Sequence, residues 1–309
     1  MFQIERDPRA SGEVIKQNSV LTASGDELEY LTFPSLEQTG FVRHLITTRV
    51  GGVSQGDYAA MNLSFTRGDR EEAVRENFRR IGNILGCSPE CMTASQQTHT
   101  TNIRRVTGND RGKGVVKPLD YQQVDGLMTD EPGIALVTFY ADCVPLLFVD
   151  PVHRAIGSAH SGWRGTVGRM GKCMVRAMGE SFGTRSEELK VAIGPSICQD
   201  CYEVSGDVAE NFTELEAETE ELRRELLQSG RYRAGIGGDL PRIVLPGRQP
   251  DKFQLDLWLA NYLILRQEGI PLHSIAVTDI CTCHNSAYLF SHRASSGRRG
   301  NLAAFLMLG

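Results

Sequence analysis

Long apolar runs and a surplus of positive charge are both missing from this sequence of 309 residues. No run approaches the roughly 18 apolar residues that cross a membrane, and no basic-apolar signal segment opens the chain. The net charge is −5, with 33 basic against 38 acidic residues, which argues against nucleic acid or an anionic membrane as the main partner. We therefore expect a cytoplasmic globular protein that binds neither.

Glycine-rich nucleotide motifs are also absent in the form that binding requires. Gly171-Lys172 lacks the earlier glycine of a phosphate loop, since Thr166 stands at that position and Cys173 stands where serine or threonine should follow. The glycine-rich run at 235–238 has neither the spacing nor the strand context of a dinucleotide fingerprint. ATP and NAD are therefore not predicted as cofactors.

Eight cysteines and seven histidines are the residues best suited to hold a transition metal. Irregular cysteine spacing in a cytoplasmic chain favours thiols or metal ligands over disulfides. His99, Cys143 and His160 stand out because each lies at a predicted strand end or tight turn, where functional side chains are commonly displayed. Two imidazoles and one thiolate suit zinc or copper and leave a fourth position for water or substrate. The alternative is a buried inert thiol with hydrogen-bonded histidines.

Hydrophobic periodicity predicts an alternation of short strands and helices, which indicates an α/β or α+β fold. Because no linker-like stretch separates two cores, we expect one domain over residues 1–309, with residues 1–40 as an irregular or hairpin lead-in and 230–250 as a loop. The predicted strands are 44–48, 134–139, 146–149, 154–158, 190–193 and 274–280. The predicted helices are 69–85, 166–182, 205–229 and 255–267.

Several separate blocks of sequence are similar to one known family. Four blocks flank the candidate ligands: Asp-Gly-Leu-Met-Thr at 125–129, Ala-Asp-Cys-Val-Pro-Leu-Leu at 141–147, Ala-His-Ser-Gly-Trp-Arg-Gly at 159–165 and Ile-Gly-Pro-Ser-Ile at 193–197. Further blocks lie at 48–54, 61–63, 76–77, 281–282, 291–293 and 297–298. Together they resemble the YfiH/YlmD-like laccase-domain family of purine nucleoside phosphorylases. The resemblance covers roughly residues 40 to 309, and several blocks in order are far more specific than a single motif.

The resemblance implies a single-domain layered α/β/β/α sandwich with mixed sheets and one zinc ion per chain, with copper less favoured, held by His99, Cys143 and His160. The family pattern around the first ligand is Gln-x-His-Gly, and this chain has Thr100 in place of the glycine. That departure touches the backbone after His99 and leaves the ligand itself in place.

The implied activities are phosphorolysis of adenosine, inosine, guanosine and methylthioadenosine, together with deamination of adenosine. The partners are then purine nucleosides and phosphate, and the protein is a monomer or homodimer. A zinc ion held by His and Cys activates water in deaminases of other folds, which also need a carboxylate to shuttle protons. Asp142 is the carboxylate nearest to a ligand in sequence. The residues expected to bind substrate are Arg49, Arg164 and Arg293 for phosphate and Gln97 and Tyr202 for base or ribose.

Three other functions remain open on the same residues. Cys143 activated by a histidine is the make-up of a cysteine hydrolase acting on amides or cell-wall peptides. A copper polyphenol oxidase is the activity behind the laccase label, but seven scattered histidines cannot supply a trinuclear cluster plus a blue site. The third alternative is an interaction protein without metal or nucleoside binding.

Two further cysteine pairs suggest a second zinc site, made of Cys198, Cys201, Cys281 and Cys283. The second pair has one intervening residue where zinc knuckles have two to four. The family resemblance also has glycine at the position of Cys198. We therefore expect no zinc there.

Overall fold

The computed structural model describes residues 1–7, 14–230 and 239–309. The glycine-rich run at 235–238 lies outside these ranges, as does part of the predicted loop at 230–250. Within the described ranges, no helix combines the length and the apolar character needed to cross a membrane.

Fifteen strands and eight α-helices make up the described chain. The strands are β1 (Lys16–Leu21), β2 (Glu27–Thr32), β3 (Val42–Thr47), β4 (Met92–Ala94), β5 (Ile103–Arg105), β6 (Gly126–Thr129), β7 (Ala135–Tyr140), β8 (Val144–Asp150), β9 (Ala155–Ser161), β10 (Lys190–Ile193), β11 (Glu203–Ser205), β12 (Val244–Pro246), β13 (Lys252–Leu255), β14 (Ile275–Val277) and β15 (Leu302–Leu308). The helices are α1 (Pro34–Glu37), α2 (Glu71–Leu85), α3 (Trp163–Val167), α4 (Met170–Phe182), α5 (Gly206–Glu210), α6 (Thr213–Glu218), α7 (Glu220–Gln228) and α8 (Leu257–Gln267).

Two six-stranded sheets form the centre of the molecule. The first has the order β1-β2-β3-β15-β7-β4, and only its β4–β7 pair is parallel among the strands described. The second has the order β14-β10-β8-β9-β6-β5, with parallel pairs at both edges and antiparallel pairs between them. A small antiparallel sheet, β11-β13-β12, lies apart from both. Both large sheets are therefore mixed.

The two large sheets pack face to face, and helices cover their outer faces. Side chains alternate along β8 because successive residues of a strand point to opposite faces. Leu147 thus joins the core between the sheets, whereas Phe148 joins the core beneath α4 and α8. On the opposite side, Phe78 of α2 packs edge-on against Phe305 of β15, with ring centroids 6.3 Å apart. The result is the α/β/β/α sandwich that the sequence resemblance predicted.

Two of the predicted helices are interrupted. The helix predicted at 166–182 is two helices, because Arg169 has a left-handed φ of 59° that a right-handed helix cannot continue. The helix predicted at 205–229 is three short helices. Near each break a polar side chain hydrogen-bonds to the backbone four residues earlier, with Asn211 Nδ2 donating to Asp207 O and Thr219 Oγ1 to Leu215 O, both at 2.6 Å. Such bonds offer the chain an alternative to the helical ladder.

The two ends of the described chain contribute strands to the first sheet. The lead-in contains the β1–β2 hairpin, and Leu28 and Leu31 of β2 are buried. The segment after the last predicted strand contains β15, which lies between β3 and β7 and is buried along its whole length. The sequence did not predict β15. The organisation as one domain stays a prediction.

Candidate functional site

Three chain segments meet where β8 and β9 begin and end. Cys143 directly precedes β8, His160 lies in β9, and the antiparallel register places Pro145 opposite His160. His99 comes from the loop after β4. The ligand atoms of the three side chains lie within 4.8 Å of one another, and Cys143 Sγ is 4.0 Å from His99 Nε2. The two imidazole rings meet edge to face, with centroids 5.0 Å apart.

Asp125, just before β6, holds both histidines in place. Its Oδ1 accepts hydrogen bonds from His160 Nδ1 at 2.8 Å and from the His99 backbone N–H at 3.0 Å. Its Oδ2 accepts the backbone N–H groups of Thr98 and Thr100 at 2.9 and 3.0 Å. Because Asp125 occupies Nδ1 of His160, Nε2 of that ring is the nitrogen left for a metal. Metal-binding histidines are usually oriented in this way by a carboxylate, a backbone carbonyl or water.

Thr100, the departure from the family pattern, adds to this arrangement. Its hydroxyl donates a further hydrogen bond to Asp125 Oδ2 at 3.1 Å, besides the bond from its backbone N–H. His99 itself has a left-handed φ of 65°, a strained conformation for a residue with a side chain. The bonds to Asp125 therefore fix the loop that presents the His99 ring.

The charges within the site favour a thiolate. Burial raises the pKa of Cys143, but the neighbouring His160 and the hydrogen bonds from both histidines outweigh it and lower this pKa to about 6. Burial lowers the pKa of His160, but the Cys143 thiolate and Asp125 raise it to about 9. Asp125 has a lowered pKa because the bonds from His160 and the Thr98 backbone outweigh its burial. A thiolate is the form of cysteine that binds metals.

The donor set and its surroundings fit a single zinc-type cation. Three donors of the borderline-soft class face one another and leave a fourth position open. Gly162 supports the close approach of two of them: a Cβ at this position would lie 2.9 Å from Cys143 Sγ and 3.1 Å from His99 Cδ2. The space between Cys143 and His99 therefore depends on the absence of a side chain at residue 162.

Gly162→Ala is expected to lower the affinity of the site for zinc by about 10- to 100-fold, the equivalent of the 1–3 kcal/mol that overpacking typically costs. The backbone at Gly162 has a φ of −72°, so alanine is strained there by crowding and not by its backbone conformation. Competition with a chromogenic chelator measures the change. Gly165→Ala is the matched control, because its Cβ would lie 3.4 Å from the nearest atom, in ordinary contact. Equal zinc affinities of the two variants would contradict this assignment.

A cavity of about 330 Å³ opens beside the three candidate ligands. Its wall contains His99, Cys143 and His160, together with the positive side chains of Arg67 and Arg299. Arg299 is buried, and its Nε has no hydrogen-bond partner among the described residues. Burial and the positive charge of Arg67 lower the pKa of Arg299 to about 10, so the guanidinium stays charged at neutral pH. This charge makes the cavity suitable for an anion.

Gln97 and Arg49 lie on different cavities. Gln97 lines the cavity of the candidate ligands, and its amide exchanges hydrogen bonds with the backbone of Phe139. Arg49 lies on a neighbouring cavity of about 230 Å³ that shares Arg299 with the first. Its Nε and Nη1 donate to the carbonyls of Ala59 and Ser286. Arg49 thus links two loops, and its guanidinium has fewer free N–H groups with which to bind an anion.

Arg164, Tyr202 and Arg293 form a second group near Cys143. The guanidinium of Arg293 lies 5.4 Å from the centre of the Tyr202 ring. Burial and the Cys143 thiolate raise the pKa of Tyr202, against the opposing effect of both arginines. Arg293 also donates to the carbonyls of Cys201 and Glu203, and Arg164 stacks on Trp163. Tyr202 is therefore within electrostatic range of Cys143, and both arginines are within electrostatic range of Tyr202.

Asp142 is held on the side of the loops that follow β14. Its Oδ1 accepts a hydrogen bond from Thr282 Oγ1 at 2.6 Å, and its Oδ2 accepts the backbone N–H of Arg293 at 2.7 Å. Both oxygens are therefore engaged within the protein. A role as proton shuttle stays a prediction, and the bonds assign Asp142 a part in shaping the turn before Cys143.

Asp125 and Arg299 are residues of the site that sequence reasoning missed. Asp125 begins one of the blocks that carry the family resemblance, which was the signal available. Arg299 follows another such block in a basic stretch, but nothing in the sequence separates it from Arg298. Only the fold shows that Arg299 is buried against the cavity while Arg298 is exposed.

The chain is similar to known proteins over most of its length. A model of the family described as multi-copper polyphenol oxidoreductase laccase matches residues 43–309. The chain is 32% identical over 284 residues to a purine nucleoside phosphorylase of Bacteroides thetaiotaomicron, covering 90% of this chain and 96% of that protein. It is 35% identical over 264 residues to purine nucleoside phosphorylase YlmD of Geobacillus stearothermophilus, covering 84% and 88%.

Two solved structures share the fold. The chain superimposes on YfiH of Bacillus licheniformis with a TM-score of 0.78 at 28% identity, covering 91% of this chain and 96% of that one. YlmD of Geobacillus stearothermophilus gives a TM-score of 0.76 at 32% identity, covering 90% and 96%. From the family match, the identities and the shared fold, the chain belongs to the family described as multi-copper polyphenol oxidoreductase laccase, which includes YfiH and YlmD.

Proposed function

We propose that this protein is a zinc-dependent purine nucleoside enzyme. It performs phosphorolysis of adenosine, inosine, guanosine and methylthioadenosine, and it deaminates adenosine. The names of its relatives support the phosphorolysis. The observation that carries the proposal is the meeting of His99, Cys143 and His160 beside a cavity with the buried cation Arg299.

In the proposed site, His99 Nε2, Cys143 Sγ and His160 Nε2 hold the zinc ion, and Asp125 fixes the two histidines. When bound there, zinc supplies Lewis acidity. Asp125 keeps the Nδ1 proton of His160 on the side away from the cavity. Tyr140, whose hydroxyl hydrogen-bonds to the backbone carbonyl of Ala159, packs against His160 and keeps water away from its buried side.

Phosphorolysis requires an anion site next to the ribose. An oxygen of phosphate forms a bond to C1′, the C1′–N9 bond breaks, and its electron pair leaves with the purine, which takes up a proton. Arg299 and Arg67 place positive charge on the cavity wall, where they attract phosphate and stabilise its negative charge as the bond forms. The residues proposed to complete substrate binding are Arg49, Gln97, Arg164, Tyr202 and Arg293.

A cysteine hydrolase is the second candidate function. The lowered pKa of Cys143 and its distance of 4.0 Å from His99 Nε2 also suit a nucleophile with a histidine base. The two functions differ in their need for metal. Amide hydrolysis by a metal-free protein, blocked by iodoacetamide, would favour the hydrolase.

A copper oxidase is the third candidate, since the family description names multi-copper oxidoreductases. Such enzymes need several coppers and many imidazoles, and this chain has seven histidines in total. Metal analysis of the purified protein separates zinc from copper.

The test of the proposed function is release of hypoxanthine from inosine by the purified protein. We expect release that requires phosphate, yields ribose 1-phosphate in equal amount, disappears after metal removal and returns with zinc. Methylthioadenosine and guanosine are tested in the same way, and adenosine is followed for ammonia as well as adenine. Phosphate-dependent release that persists in metal-free protein would overturn the zinc dependence, and absence of release from every nucleoside would overturn the proposal.

Arg299→Lys is expected to raise the KM for phosphate by about tenfold, because a compact ammonium replaces a fork that matches phosphate oxygens. Zinc content should not change, since Arg299 is not among the candidate ligands. Initial rates at varied phosphate measure the effect. Arg224→Lys is the control, because Arg224 pairs with Glu220 on the exposed face of α7. An unchanged KM for phosphate in Arg299→Lys would remove this residue from the phosphate site.

A further inference from the structure

A second group of metal-binding side chains lies outside the candidate centre. The ligand atoms of Cys198, Cys201, Cys281 and His284 all lie within 4.8 Å of one another. Cys198 Sγ is 3.9 Å from His284 Nδ1. Around a tetrahedral zinc with Zn–S distances of about 2.3 Å, ligand atoms are separated by about 3.8 Å. The four ligand atoms therefore need to move only slightly closer together to reach the separations found around zinc.

The spacing of this group is that of a zinc knuckle in both halves. Cys281 and Cys283, the second pair in the sequence, have one residue between them, which is too few for a zinc knuckle. The fold instead brings His284 into the group, and Cys283 is not part of it. Two residues then separate Cys198 from Cys201, and two separate Cys281 from His284. Each half follows the end of one of the neighbouring parallel strands β10 and β14, which explains why they meet.

A backbone N–H is directed at one of the sulfurs of this group. The N–H of Cys198 donates to Cys281 Sγ at 3.3 Å. The N–H of Cys201 donates to the Cys198 carbonyl at 3.2 Å, which closes the turn between these two ligands. Cys198 and Cys281 are buried, whereas the His284 side chain is 38% exposed. This backbone donor stabilises negative charge on the Cys281 sulfur, which three thiolates around one divalent cation need.

We propose that Cys198, Cys201, Cys281 and His284 form a second metal site that binds a structural zinc ion. Four protein ligands close the coordination sphere, so this ion has no open position for substrate. Three thiolates and one imidazole select a borderline-soft divalent cation over magnesium or calcium.

The second site supports the turn that carries Cys143. Thr282, between two of its ligands, donates to Asp142 Oδ1, and the Ile197 N–H donates to the backbone carbonyl of Asp142 at 3.0 Å. The Arg293 guanidinium donates to the Cys201 carbonyl, and the Arg293 backbone N–H donates to Asp142 Oδ2. A metal that fixes the two loops thus fixes the residue before Cys143. The second metal would thus position the turn before Cys143 without contacting the substrate.

Zinc analysis of reduced, dialysed protein tests the proposal without any assay of activity. We expect two zinc ions per chain in the wild type and in the control Cys173→Ala, and one in each of Cys201→Ala, His284→Ala and Cys143→Ala. The double variant Cys143→Ala/His284→Ala should hold none. With cobalt in place of zinc, most of the thiolate-to-cobalt charge-transfer absorption should be lost in Cys201→Ala and much less in Cys143→Ala. Three of the four thiolates belong to the second site.

One zinc per chain in the wild type, lost entirely in Cys143→Ala, would overturn the proposal. A disulfide within the group in the native protein, found by mass spectrometry of alkylated peptides, would do the same. Because His284 is partly exposed, His284→Ala keeps the test decisive where a cysteine variant does not fold, and circular dichroism checks each variant. Two zinc ions with no phosphorolysis would leave the second site intact and count against the proposed function alone.

Discussion

Cys143→Ala should abolish phosphate-dependent release of hypoxanthine from inosine, with a fall of about a thousandfold or more, as several kcal/mol of transition-state stabilisation disappear with the metal. Two imidazoles alone hold zinc weakly, and alanine also removes the negative charge that offsets the cation. Without the thiolate the pKa of His160 falls, so protons compete less for this ring, but two imidazoles do not replace the lost sulfur ligand. Rates measured together with zinc content show whether the activity and the metal are lost together.

Two further variants test whether the loss of activity is specific to the Cys143 thiolate. Cys91→Ala removes a half-buried thiol that is not part of the candidate centre and should change neither rate nor zinc content. Cys143→Ser keeps a nucleophilic oxygen but is a poor zinc ligand, so it should behave like alanine. Normal phosphorolysis in Cys143→Ala protein that lacks the zinc of the candidate centre would contradict the metal-based assignment, and hydrolase activity retained in zinc-free wild type would favour the nucleophile.

Asp125→Asn should weaken zinc binding by about 10- to 100-fold, the usual cost of losing the carboxylate behind a metal-binding histidine. Each oxygen of Asp125 accepts bonds from two N–H groups at least, and an amide has only one acceptor oxygen. In the asparagine variant, the side-chain NH2 group would therefore point at N–H groups that have lost their acceptor. We also expect the free energy of unfolding to fall by about 2–4 kcal/mol, since buried donors lose a charged acceptor. Chelator competition and urea unfolding measure the two effects.

The comparison with wild type is best made near pH 7. The folded-state pKa of Asp125 is lowered, so its contribution to stability is complete above the ordinary carboxyl pKa and is lost as the pH falls through the folded value. The stability difference between Asp125→Asn and wild type should accordingly shrink in acid. Asp110→Asn is the matched control, because Asp110 is buried and accepts bonds from the Thr107 N–H, Arg104 and Lys113 away from the cavity. It should cost stability and leave zinc affinity unchanged; equal loss of affinity in both variants would contradict the role of Asp125.

Local sequence predicts half of the candidate site. The apolar runs before and after the turn at Asp150-Pro151 identify β8 and β9 as neighbouring strands, and antiparallel pairing then places Cys143 close to His160. His99 and Asp125 belong to loops joined to that hairpin only through the fold. Their partnership depends on a hydrogen-bond pattern that spacing does not encode, and the family blocks indicated only that these residues belong together.

The fold is likewise predictable only in part from local sequence. Amphipathic helices such as α2 are predictable because their apolar stripe faces one sheet. The strand β15 carries an unbroken apolar run that is buried on both faces, so it shows no alternation. The break at Arg169 depends on one left-handed residue, and the breaks near Asn211 and Thr219 depend on side chains that bond to the backbone. Hydrophobic periodicity does not register such local bonds.

The hairpin of β8 and β9 determines how a metal would enter and leave. Seven residue pairs, from Val144–Ser161 to Asp150–Ala155, fix the separation of Cys143 and His160, and both strands are buried throughout. We therefore expect those two donors to hold their positions before any ion arrives. Of the three candidate ligands, only His99 lies on an exposed loop, so we expect metal exchange to proceed through opening of that loop, at a rate set by how often its hydrogen bonds to Asp125 break.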